Sequence, residues 1–202
     1  MYAVPGPRQD RENGVLRSFE RPSVWLLGSS GYSAQLAAHL GLPFAFAAHL
    51  ADQNVEPALT LYRDRFRPSA VLDRPYAMAS FAVLAADDER EARRQAWADS
   101  HAMMRMSQRK TPVIPTPGEA EAYLYSPSER EIIEMWNAKI MSGTGGHVVE
   151  GLNAWQRRLG ADELMLVNLG HSPAAIHRST EIIADAYGMP EHHQERDPAH
   201  DA

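Results

Sequence analysis

Between Leu27 and Ala34 the chain reads Gly28-Ser29-Ser30-Gly31-Tyr32-Ser33. An apolar tetrapeptide, Val24-Trp25-Leu26-Leu27, precedes this run, and Leu36 and Leu40 follow it one helical turn apart. A buried strand that enters a Gly/Ser turn and leaves it as a helix aims free backbone N–H groups at one point, at the positive end of the helix dipole. Glycines let a ligand approach the backbone, and Ser29, Ser30 and Ser33 add hydroxyl donors. That chemistry suits a phosphate. The run lacks the lysine of a P-loop and the glycine spacing of the dinucleotide fingerprint. Serines that merely cap a helix would look the same, and spacing alone leaves the two readings level.

The remaining chemically able residues read more plainly. His49 falls just past a second apolar run, at the strand end where barrel enzymes keep their sites, and is expected as a polar rim residue. His147 follows Gly143-Thr144-Gly145-Gly146, a turn that could receive a second anion, although a cap by Thr144 accounts for it. His192, His193 and His200 lie in a polar tail without a spaced set of supporting ligands, so no metal site is expected. Met103, Met104 and Met106 are expected to cover apolar surface. There is no cysteine, which excludes disulfides and thiolate sites, and no Ser/His/Asp set has the context of a nucleophile elbow.

The elements that must position these residues alternate in type. Apolar runs over 24–27, 43–48, 76–85 and 163–169 are expected as four buried strands. A helix is expected to follow each: from about Ser33 to Leu40; after Asn54 as cap, with Ala58, Leu61, Tyr62 and Phe66 as its inward stripe; over 87–106; and from Ser172-Pro173 to Gly188. The stretch 110–118 holds three prolines and reads as a loop. An insertion before the last strand carries two more helices. Ser126-Pro127-Ser128-Glu129 forms a capping box ahead of Ile132, Ile133, Trp136 and Ile140, and Thr144 caps Val148, Val149, Leu152, Trp155 and Leu159. Residues 1–22 read as an arm or loop, 23–189 as the folded domain and 190–202 as a polar tail. Continuous apolar strands alternating with amphipathic helices indicate an α/β fold of parallel βα units. About four such units suit an open sheet or half of an eight-unit barrel, which takes about 250 residues.

Composition sets the outer bounds. Of the 202 residues 44% are hydrophobic and 23% charged, enough for a packed core, and the net charge of -6 argues against a nucleic-acid partner. The longest apolar run is well short of the roughly 18 residues of a membrane helix, and no secretory signal is visible, so a soluble, cytoplasmic chain is expected.

The segment from Trp25 to Ala45, with Leu61-Tyr62-Arg63-Asp64-Arg65-Phe66-Arg67-Pro68-Ser69 and Gly160-Ala161-Asp162-Glu163-Leu164-Met165-Leu166-Val167, resembles the bacterial luciferase-like monooxygenase family. The resemblance implies a partial (β/α)8 TIM barrel, its four βα units being those of the second half. It implies FMN as cofactor, with the deazaflavin F420 as the alternative, and a flavin-dependent monooxygenase or oxidoreductase acting with O2 on a small organic substrate. By position Ser30 and Ser33 would give hydroxyl contacts to the cofactor phosphate, Gly31 and Tyr32 backbone or packing contacts, with Ser29 beside them. The family pattern also implies that the first four βα units are missing, so the chain is expected to be a fragment. Its activity alone is left open, no catalytic residue is named, and a flavin reductase and a homo-oligomer are conceivable partners. The alternative is a non-catalytic flavin- or phosphate-binding half-domain.

Overall fold

A computed structural model describes residues 23–189. The arm expected over 1–22 and the tail expected over 190–202, with its three histidines, lie outside the described residues. The described residues form two compact units, 23–80 with Leu159–Leu164 and Phe81–Arg158 with 165–189.

In the first unit the order is β1 (Leu26–Gly28), α1 (Gly31–Leu40), β2 (Phe44–Phe46), the short α2 (Ala48–Ala51), a 3-10 turn (Asp52–Asn54), α3 (Val55–Arg65) and the start of β3 (Ala77–Ala85). β1 pairs parallel with β2, placing Gly28 beside Phe46, and β2 pairs parallel with β3. The core is aromatic. Phe44, Phe46 and Tyr62 are fully buried, with Phe44 and Tyr62 centroids 5.4 Å apart. Burying each ring contributes roughly 2 kcal/mol. The Tyr62 hydroxyl donates to the Leu42 carbonyl at 2.8 Å, so the ring is buried without an orphaned polar group. Gly41 ends α1 at φ 62°, where a Cβ would stand 2.5 Å from the Arg67 carbonyl oxygen.

Three expectations need correction here. The first strand is not buried: Leu27 is 66% exposed, because β1 ends the sheet path and only β2 pairs with it among the described residues. Asn54 makes no capping bond, since the preceding 3-10 turn already winds its backbone to φ -102° and ψ -5° rather than the extended geometry a cap requires. The inward stripe of α3 is Val55, Ala58, Leu59 and Tyr62, while Leu61 and Phe66 are only half-buried.

In the second unit β3 continues, then α4 (Glu89–Ser107), α5 (Pro117–Ala122), α6 (Pro127–Asn137), β4 (Ile140–Gly143), α7 (Gly145–Leu159), β5 (Glu163–Asn168) and α8 (Pro173–Ala186). All nine residues of β3 are buried, as its unbroken apolar run predicts. Residues Ala82 to Ala85 of β3 pair parallel with β4, and β5 also pairs with β3. Asp88 caps α4 by accepting from the Glu91 amide at 2.8 Å. Ala92 and Ala96 of α4 then pack on Leu84 and Ala86, joined by Ile140 and Leu169. The boxes at Thr116 and Ser126 both form, each closed by a glutamate three residues on.

Among the described residues the strand count is therefore five. Ile140 is not on a helix face: Ala138 ends the α6 helix, and Ile140 opens β4 beside Ala82. The expected loop over 110–118 gives way to α5 at Pro117, started by the Thr116 box. β5 is only partly buried, with Met165 48% exposed, because among the described residues it pairs with β3 alone.

Candidate functional site: the turn between β1 and α1

The helix begins earlier than its apolar spacing suggests. Gly31 is its first residue and Ser30 its cap, in extended backbone at φ -143° and ψ 162°. Ser30 and Ser33 bind reciprocally. The Ser33 amide donates to Ser30 Oγ at 3.5 Å, the Ser30 amide to Ser33 Oγ at 3.4 Å, and the Ser33 hydroxyl to the Ser30 carbonyl at 2.8 Å. The last bond is the shortest, so the Ser33 proton is committed inside the turn. A Cβ on Gly28 would overlap the Ser33 side chain, so only glycine lets the strand end tuck beneath it.

The donors left over face outward. The Gly31 and Tyr32 amides have no intrahelical acceptor, being in the first turn, and no other partner among the described residues. Ser30 is exposed, Ser29 and Ser33 half-buried, and Tyr32 is 76% exposed. No acidic residue lies in the first turn of α1. The structure thus brings together all five expected residues, Ser29, Ser30, Gly31, Tyr32 and Ser33, at the positive end of one helix. The set fits a phosphate, with Ser33 shaping the turn and Ser30 and the two amides open to a ligand.

His49 lies at the same end of the sheet, because the Ala47 amide donates to the Gly28 carbonyl at 2.9 Å. Its Nδ1 is 2.9 Å from Ser80 Oγ, whose own proton can also reach the Phe46 carbonyl at 3.3 Å. Donation of that proton to Phe46 pairs with an Nδ1–H tautomer and an accepting Nε2, and donation to His49 with the reverse. Burial pulls the imidazole below its usual value, and hydrogen bonding to Ser80 opposes that in part. The Ser80 contact had no sequence signal, since the two residues lie far apart in the chain.

The second Gly-rich turn behaves differently. Thr144 caps α7 through the His147 amide at 3.4 Å. The Glu89 carboxylate accepts from the Thr144 amide at 3.3 Å. A carboxylate at that helix start repels a second anion. Among the described residues no group of three or more His, Asp or Glu could hold a metal ion, and no helix is long and apolar enough to cross a membrane.

The family model described as luciferase-like monooxygenase matches residues 1–163. A luciferase-like monooxygenase of Escherichia coli K12 is 42% identical over 73% of this chain and 44% of its own length. The uncharacterised protein YvbT of Bacillus subtilis 168 is 38% identical over 81% and 49%. The crystal structure of apo-MsnO8 superposes with a TM-score of 0.75 at 30% identity, covering 87% of this chain and 53% of that one. A long-chain alkane monooxygenase, LadA, shares the fold at a TM-score of 0.51 and 16% identity. The chain spans about half the length of the curated relatives it matches. Its parallel βα units are part of the (β/α)8 barrel, and the chain belongs to the luciferase-like monooxygenase family.

Proposed function

We propose that this chain provides the cofactor-phosphate cradle of a flavin-dependent monooxygenase that acts with reduced FMN and O2 on a small organic substrate. The observation that carries this reading is the pair of first-turn amides, Gly31 and Tyr32, without a partner among the described residues, beside the Ser30 hydroxyl and with no acid in the first turn of the helix. In it, the two amides and the Ser29 and Ser30 hydroxyls hold the phosphate, while Ser33 fixes the turn. His49 stands at the same sheet end, its ring held by Ser80. The bound flavin supplies the electrons for oxygen activation; the protein's part is to anchor and orient it. One related fold, a riboflavin lyase, was crystallised with modified FMN. F420 also carries a phosphate, so the cradle serves either, and a flavin reductase is the partner such a reaction calls for.

A non-catalytic flavin- or phosphate-binding half-domain is the second reading. It is favoured by apolar side chains left uncovered on β1 and, separately, on β5, such as Leu27 and Met165. Substrate turnover with bound reduced flavin separates the two.

Gly31→Pro tests the cradle directly. Proline suits the first helical position, and the extended Ser30 before it is the backbone a pre-proline residue adopts. The variant should fold normally yet lose one phosphate donor. Fluorescence titration should show FMN binding about tenfold more tightly than riboflavin, a preference that Gly31→Pro removes while riboflavin affinity stays. Equal affinities in the parent chain would overturn the assignment. F420 titrated in parallel selects the cofactor.

A further inference from the structure

On the face of α4 turned from β3, a cleft of about 330 Å³ opens, walled by Arg94, Trp97, Glu121, Tyr123, Tyr125 and Arg130. Helical geometry sets it there: Ala92 and Ala96 point into the β3 core, and Arg94 and Trp97 lie roughly 140–200° around the axis. The wall is aromatic and held in place. Tyr123 and Tyr125 stand 4.6 Å apart by centroid, and Trp97 meets Tyr125 edge-on at 6.0 Å. His101, buried on α4, fixes the pair from behind, its Nδ1 3.0 Å from the Tyr125 hydroxyl and its ring edge-on to Tyr123 at 5.0 Å.

The charges at the rim are not equivalent. Arg94 is neutralised by Glu91 at 2.7 Å and Glu121 at 2.6 Å. Arg130 sits 5.8 Å over the Tyr125 ring and has no acidic partner among the described residues. In a chain of net charge -6, an uncompensated guanidinium above a preorganised aromatic wall is a local departure. A guanidinium fork matches a carboxylate, and aromatic walls take a flat ring at little ordering cost.

We propose that this cleft binds a small aromatic carboxylate, its acid group on Arg130 and its ring against Tyr123 and Tyr125. A cleft of this size holds one or two fused rings. The site is independent of the phosphate cradle, and FMN affinity does not enter its test.

Calorimetric titration of the full chain with 2-naphthoate and with the uncharged 2-naphthalenemethanol tests it. The acid should bind one to one, about tenfold more tightly than the alcohol. Arg130→Gln, on an exposed helix surface, should bring the acid down to the affinity of the alcohol without moving the melting temperature. Arg130→Lys should keep part of the preference, and Tyr123→Leu should weaken acid and alcohol alike. Absence of binding by the acid at millimolar concentration, equal affinity for acid and alcohol, or an unchanged preference in Arg130→Gln would each overturn the proposal.

Discussion

At the scale of single residues, the site depends on what Gly28 lacks. The Ser33 side chain occupies the space a Cβ would need, and the short Ser33 bond to the Ser30 carbonyl depends on that space. Gly28→Ala should therefore lower stability by about 1–3 kcal/mol in urea unfolding and open the Ser30–Ser33 box, weakening FMN more than riboflavin. An alanine variant as stable as the parent would show that the turn gives way elsewhere. The five turn residues were legible in the sequence because glycine and serine between strand and helix leave few local alternatives. The engagement of the Ser33 proton was not, since it follows from Gly31 rather than Ser33 opening α1.

At the scale of elements, helix starts marked by a side-chain cap were readable and pairings across the chain were not. The box at Ser126 announced α6, whereas β4 was hidden because Ile140 keeps helical spacing from Ile133 and Trp136. The same blindness hid Asp99, which lies on α4 among charged neighbours yet is only 4% exposed. Burial pushes its carboxyl up to about 6, against a bond from the Gly170 backbone that works the other way, and its Oδ2 has no partner. An acid whose folded-state value lies above the unfolded one costs stability when ionised. That cost is absent below about pH 4, grows as pH rises, and is complete above about pH 6. Asp99→Asn should accordingly match the parent near pH 4 and exceed it at pH 8, by about 1–3 kcal/mol in thermal melts. A gain that does not change with pH would point to packing instead of charge.

At the scale of the whole molecule, the apolar runs gave the fold class correctly but overstated burial at two strands. Periodicity reports which side chains are apolar, not whether another strand lies alongside. Leu27 on β1 is 66% exposed, and Val24, two residues ahead of the strand, is 61% exposed. An open, apolar strand edge recruits other strands. Sedimentation of the chain over a range of concentrations should show self-association, and Leu27→Lys should shift it towards the monomer. Identical profiles would mean that β1 takes no part.

β3 has one further consequence, for synthesis. Its nine residues, Ala77 to Ala85, leave the ribosome before β4 and β5, two of the strands that pair with it, have been translated. For that interval the nascent polypeptide displays an uncharged, proline-free apolar segment still lacking those two strands, the kind of stretch that chaperones hold and that clumps when they are scarce.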